Sequence, residues 1–428
     1  MKTNYGKTRV ACYVGYIVQA AVNNLAPLLF VTFNTQFNIS IEKIGLLILF
    51  NFLLQICVDI TSALYVDKIG YRATTLTAHA LSCIGFVLLS FLPYTIDPYA
   101  GLLISVFFLA CGGGLIEVII SPMTEALPSD NKAASMSILH SFYCWGQMLT
   151  VLLSTALFSI IGIHNWRIVA LLWAILPLLN FFMFLFVPIA SLPSAAEGGG
   201  RKRNMLTPAF FCLFILMICS GAGELAMSQW ASMFFESVLK VDKSVGDILG
   251  PCMFAAFMGC GRVLSVSCLK NVKLENLILT SSVLCIIAYS SVSLSSSPIV
   301  SFIGCALCGL SVAVMWPATY SLGTKYCPLG GTLMFALFAF AGDIGCAMGP
   351  EIVALVSSAT DSGILGDFLP FIGNGSTNRG LRVGLFVILI FPIAAIISTL
   401  ILKKIDKKRP MADRICNKET EIDKESEK

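Results

Sequence analysis

Four carboxylates, Asp59, Glu117, Glu224 and Asp343, stand deep inside long apolar stretches of this 428-residue chain. A charge at the centre of a bilayer costs about 2.5–3.5 kcal/mol on insertion scales, so each needs a partner, a proton or water. Arg262 is the one basic residue in the same kind of surrounding. It can pair with a carboxylate and hold two helices together, but it cannot answer for four. The other acids must be protonated or line a wet cavity. Either condition suits chemistry in which a carboxyl group takes up and releases a proton. Glu125 and Glu351 lie nearer the ends of their stretches and say less.

Amides and aromatic rings share these stretches. Asn51, Gln55 and Asp59 fall at i, i+4 and i+8, which stacks them on one helical face. Turned to lipid, that face would be prohibitive, so it points inward. There it either bonds a neighbouring helix, at about 0.6 kcal/mol per contact, or lines a cavity. The first span adds Asn23 and Asn24, with Gln19 a turn earlier; the fifth adds His140, Trp145 and Gln147. The seventh adds Gln229 and Trp230, and the tenth Trp316 and Tyr320. Together with Asn51 and Gln55 these are the candidate solute-binding residues. Amides and carboxylates exchange hydrogen bonds with hydroxyl groups, and an indole packs against the apolar face of a sugar ring. A Trp near a span end also serves as an interfacial anchor; Trp166 and Trp230 suit that role, Trp145 and Trp316 a cavity.

Metal and nucleophile chemistry finds little support. The three histidines, His79, His140 and His164, lie on separate segments. Most of the sixteen cysteines sit in apolar runs, where they behave as small apolar residues, and the Cys305-x-x-Cys308 spacing has no second pair. No metal site or cofactor is expected, and an enzyme is disfavoured. With no Gly-rich phosphate loop, ATP-driven transport is excluded.

The elements that must position these residues are membrane spans. Apolar residues make up 57%, charged residues 12%, and mean hydropathy is +0.85. A soluble domain carries about 25% charged residues. Here 15 of the 52 charges crowd into residues 404–428, so too few remain to solvate a globular surface. Secreted proteins, cytosolic enzymes and nucleic-acid binders are thereby excluded. A hydrocarbon core of about 30 Å needs roughly 20 apolar residues per helix. Twelve runs qualify: 9–33, 42–66, 73–93, 99–126, 133–160, 167–190, 208–239, 245–268, 275–296, 298–325, 330–359 and 381–403. With the N-terminus inside, 21 of the 28 Lys and Arg residues fall on the inner side and six on the outer. That asymmetry meets the positive-inside rule with both termini cytoplasmic.

Residues 191–207 hold Pro193, three glycines at 198–200 and the basic run Arg201, Lys202 and Arg203. They read as a flexible cytoplasmic linker between bundles at 1–190 and 208–403, with a charged tail at 404–428. Phe, Gly and a polar residue recur in register at 142–147 and 338–343, which makes Gln147 and Asp343 counterparts in an internal repeat.

Asp67, Lys68, Gly70 and Arg72 follow the second span and resemble the loop 2–3 signature of the major facilitator superfamily, with Ala63 where a glycine is usual. Glu117 to Pro122, after Gly112, Gly113 and Gly114, is similar to the fourth span of the fucose/galactose/glucose–proton symporter family, with Ser121 in place of an Asn. Asn23-Asn24-Leu25, Gly261-Arg262 and Trp316-Pro317 extend the likeness over both halves. The resemblance implies an all-α integral membrane protein with twelve transmembrane helices in two six-helix bundles. It implies a secondary active transporter that works by alternating access, with proton-coupled symport of a sugar or similar small polar solute. The Asp67 turn is then a gate that pairs across the bundles, and Glu117 a proton-coupling residue. The family's first span continues into Asn-Asp, whereas Ala26-Pro27 follow Leu25 here. Asp59, Glu224 or Asp343 is expected to replace that missing acid. Competing readings are a proton/drug antiporter for a cationic or lipophilic solute, a non-transporting membrane sensor and an integral-membrane enzyme. The expected partners are the solute, a proton or other coupling ion and the bilayer, with no nucleic acid. The chain is expected to act as a monomer in the plasma membrane.

Overall fold

The computed structural model describes residues 5–128, 132–189, 207–268, 272–327, 331–365, 369–370, 372 and 379–408. Twelve helices are long and apolar enough to cross a membrane, and among the described residues there is no strand. The first six are α1 (Gly6–Phe37), α2 (Ile41–Ser62), α3 (Tyr71–Thr95), α4 (Pro98–Thr124), α5 (Ile138–Ile161) and α6 (Ile163–Phe186). The second six are α7 (Pro208–Val238), α8 (Lys243–Leu264), α9 (Leu274–Leu294), α10 (Pro298–Gly323), α11 (Leu337–Asp361) and α12 (Arg379–Lys407).

Side chains set where these helices begin. Ser40 accepts from the Lys43 amide at 3.3 Å, Asp97 from Ala100 at 2.9 Å and Thr207 from Phe210 at 3.2 Å. Pro98 and Pro208 follow two of these caps, at the position where a missing N–H loses nothing. The helix of α2 runs on to Ile69 and breaks at Gly70, whose φ of 90° a glycine adopts without strain. The last helix continues to Lys408, so the start of the expected tail is helical. The expected linker, apart from Thr207, and residues 409–428 lie outside the described residues, as do the side chains of Ala63, Asp67 and Lys68.

Burial is arranged for lipid. Phe186, Ile160 and Ile299 are 84%, 78% and 70% exposed, while Gln147, Thr150, Asn180 and Thr319 are buried. Apolar side chains gain nothing by hiding from hydrocarbon, so helix association rests on close packing and interhelical hydrogen bonds. Glycines provide the close packing. A Cβ on Gly112 would stand 2.3 Å from Ser82 Oγ of α3, and one on Gly114 would stand 3.2 Å from Gln55 Cα of α2. On α11, a Cβ at Gly345 would meet the Ile218 carbonyl of α7 at 2.1 Å, and one at Gly349 the Ala222 carbonyl at 2.6 Å.

Packing partners repeat with an offset of six helices. In the first half α3 packs on α4 and α6, α2 on α4, and α1 on α5; in the second α9 packs on α10 and α12, α8 on α10, and α7 on α11. The halves meet along α2 with α11 and α5 with α8. The polar residues met first in the sequence gather at that junction.

Candidate functional site

Asn23 of α1 is the hub of an amide cluster. Its Oδ1 accepts from Gln55 Nε2 at 2.9 Å and Asn51 Nδ2 at 3.3 Å, and its backbone carbonyl accepts from Gln229 Nε2 of α7 at 3.1 Å. The Tyr143 side chain of α5 lies beside Asn23 and Asn24. The stripe on α2 therefore divides. Asn51 and Gln55 turn to α1, while Asp59 lies near Asp343 of α11.

Glu117 of α4 lies beside this pair and accepts from Gln19 Nε2 at 2.5 Å. One turn along α4, Ser121 Oγ is 2.7 Å from Tyr16 Oη, and the Tyr16 ring meets His140 edge-on at 5.3 Å. Glu224, by contrast, is taken. Arg262 Nη2 reaches its two carboxylate oxygens at 3.2 and 3.3 Å, and the same guanidinium lies against Tyr143 and Cys144 of α5. Three of the four mid-span acids thus converge between the halves, and among the described residues none of the three forms an ion pair. Trp316 and Tyr320 stand beside them on α10, ring centroids 6.4 Å apart. Gly342, next to Asp343, makes room for that wall: a Cβ there would stand 2.1 Å from the Trp316 ring.

Other candidates stand apart from the acids. Trp230 is fully buried, packs on Phe30 and donates to the Pro350 carbonyl at 3.0 Å. Gln147 Nε2 bonds Ser228 Oγ at 2.7 Å, a tie between α5 and α7. Trp145 packs on α8, its ring 3.4 Å from where a Cβ of Gly259 would lie. Asn24 also donates to the Ala20 carbonyl of its own helix. Arg72, expected to belong to a gating turn, donates to the Phe184, Leu185 and Val187 carbonyls at the end of α6, at 2.6–2.8 Å.

Sequence reasoning passed over Tyr16 and Tyr143, although Tyr16, Gln19 and Asn23 repeat at i, i+3 and i+7 on one face of α1. It also passed over the closure at one end of the site. There Lys243 Nζ donates to the Leu28 carbonyl of α1 at 2.6 Å and pairs with Asp247 at 3.1 Å. Asp247 is 1% exposed and accepts from Ser232 of α7 at 2.5 Å and Thr155 of α5 at 3.1 Å. Between α2 and α11, a Cβ on Gly45 would stand 2.2 Å from Ala354 Cβ. At the opposite end His140 is exposed.

Helices paired in this way around a polar centre define a two-bundle membrane carrier. The model of the Major Facilitator Superfamily matches residues 12–350, so the chain belongs to that superfamily; it is a transporter and not an enzyme. Solved structures share the fold at low identity. A bacterial homologue of the human lysosomal transporter Spinster, inward-facing and unoccupied, superposes with a TM-score of 0.77 at 17% identity, over 96% of this chain and 99% of that one. The D-xylose–proton symporter gives 0.73 at 13% identity, over 92% and 96%. The transporter FucP in its outward conformation gives 0.61 at 14% identity, over 93% and 99%. Among curated proteins there is no match.

Proposed function

We propose that the protein is a proton-coupled symporter that carries a sugar or similar hydroxylated solute by alternating access. The observation that supports this most directly is the meeting of Asp59, Glu117 and Asp343 beside the Asn23–Asn51–Gln55 cluster, between the two halves. Acids that exchange protons and amides that bond hydroxyls then share one space, so occupancy by solute and by proton can be linked. By the charge asymmetry both termini face the cytoplasm. The end closed by Lys243 and Asp247 is then the outer one, and the site opens inward. The plasma membrane and a monomeric state complete the reading.

Reconstituted into liposomes, the wild type should accumulate a labelled hexose or pentose when the proton gradient points inward and lose it when a protonophore is added. Glu117→Gln keeps size and hydrogen bonding but cannot titrate. It should lose accumulation while retaining counterflow exchange. Accumulation that ignores the protonophore would refute proton coupling.

A second reading has one observation behind it. Three acids face the Trp316–Tyr320 wall, and Arg262 is engaged by Glu224. Such a wall would also hold an organic cation, in exchange for protons. A thermal-shift panel of sugars and lipophilic cations separates the two, because the true solute raises the unfolding temperature of the purified carrier.

A further inference from the structure

Arg167, at the start of α6, is one of the six basic residues that fall on the outer side by the charge asymmetry. A cation there runs against the inside bias and needs a local reason. Its Nε donates to the Ser90 carbonyl of α3 at 2.7 Å. Its guanidinium lies over the Tyr94 ring, 4.4 Å from the centroid, with the Phe91 ring at 5.8 Å. No carboxylate answers the charge. Among the described residues Arg167 forms no ion pair, and both of its terminal nitrogens lack a hydrogen-bond partner. A guanidinium laid flat on a ring keeps the donors along its edge free for a ligand.

These groups line a cavity of about 440 Å³ between the end of α1, the end of α3 and the start of α6. Its polar wall is rich in donors. Gln36 of α1 accepts from Trp166 Nε1 at 3.3 Å and donates through Nε2 to Tyr94 Oη at 2.8 Å, so the Tyr94 hydroxyl keeps its own hydrogen to give. Ser90, 1% exposed, lines the same cavity, and its Oγ is buried without a partner. Neither Asp nor Glu is among the lining residues. A cation with free donors and no anion calls for a ligand that brings negatively charged oxygens. The rim asks for something more. Phe91 and Ile168 are 44% and 48% exposed on the lipid-facing surface, which suits a ligand with an apolar part. Trp166, a candidate interfacial anchor by sequence, is fully buried against Phe33 and Tyr94, so Arg167 holds this boundary position instead.

We propose that this cavity binds the phosphate of an anionic membrane phospholipid. The terminal nitrogens of Arg167 take two phosphate oxygens side by side, a geometry that a guanidinium fork matches. The Tyr94 hydroxyl supplies a further hydrogen, and the glycerol and upper acyl chain lie along Phe91 and Ile168. The apolar rim favours a lipid over free phosphate, which would leave that surface unused. Every lining residue belongs to the first half, so rocking of the halves does not dismantle the site. The lipid ties the ends of three helices together through the transport cycle. The inference is independent of which solute the carrier moves and of what drives it.

Native mass spectrometry of the full chain, delipidated in detergent and then offered defined lipids, tests this. The wild type should retain phosphatidylglycerol about tenfold better than phosphatidylcholine, whose phosphate is already matched by its own cation. Phosphatidylglycerol should also raise the unfolding temperature, and inorganic phosphate should not. Arg167→Met should cut phosphatidylglycerol retention about tenfold and leave phosphatidylcholine unchanged. Arg167→Lys keeps the charge without the fork and should fall between. Should Arg167→Met fail to fold, Ile168→Trp decides, because it fills the cavity with the arginine in place and should lower retention likewise. Equal retention of the two lipids by the wild type, which needs no variant, overturns the proposal. So does undiminished phosphatidylglycerol retention in Arg167→Met or Ile168→Trp. A rise in unfolding temperature with inorganic phosphate equal to that with phosphatidylglycerol overturns the lipid as the source of the anion.

Discussion

Arg262 and Glu224 show what a matched charge looks like beside the unmatched acids. Their side chains are 15% and 7% exposed and bonded through both carboxylate oxygens. Removing one partner of a buried pair strands the other charge, at about 3–5 kcal/mol, whereas replacing both by apolar residues is close to neutral. Arg262→Met or Glu224→Gln alone should therefore lower the unfolding temperature in detergent. The double variant Arg262→Met/Glu224→Leu should recover most of the loss. If it does not, the contacts of Arg262 with Tyr143 and Cys144 matter more than the ion pair. At this scale the sequence was informative about which residues are unusual and silent about which are partners. An acid among apolar neighbours stands out whatever the fold. That Glu224 takes the arginine while Asp59 meets Asp343 depends on which helices become neighbours, and no local spacing contains that.

At the scale of the helix, the ends of α7 and α8 carry a device whose parts look ordinary in sequence. Lys243 and Asp247 are spaced i, i+4, and in sequence Lys243 counts only as one more charge at the outer boundary. The fold buries Asp247 against Thr155 and Ser232 and lays Lys243 on the end of α1. Asp247→Asn keeps the side chain's size but removes the charge nearer the lysine, leaving Glu236 at 3.6 Å as its remaining partner. The conformer balance should move by about 1–3 kcal/mol toward separation at this end. Spin labels at the exposed Thr35 and Lys240 would report the longer distance, and an unchanged distance would make Asp247 dispensable for closure. The glycines of α11 make a second prediction. A valine at Gly345 has no room against the Ile218 carbonyl, so α11 must lift from α7. Solute counterflow should fall severalfold in that variant even though Gly345 touches no candidate solute residue. Wild-type exchange would show that the seam tolerates slack.

The whole molecule was the most legible scale. Bilayer thickness fixes helix length, so twelve apolar runs became twelve helices with limits displaced by only a few residues. Charge asymmetry gives the orientation as an expectation. A cysteine placed at Asn374 should react with an impermeant thiol reagent in intact cells, above the background of the native thiols. Reaction only after permeabilisation would invert the topology. The backbone seam between α7 and α11 has a mechanical consequence. Side chains that interlock can repack and absorb a displacement, but a carbonyl against a glycine has nothing to repack. Lys243 and Asp247 sit just beyond one end of α7, and Asp343 sits on α11 two residues before Gly345, which fronts α7. Motion at this closure is thus delivered to the middle of the membrane as if through a rigid push-rod, with the carboxyl at its working end.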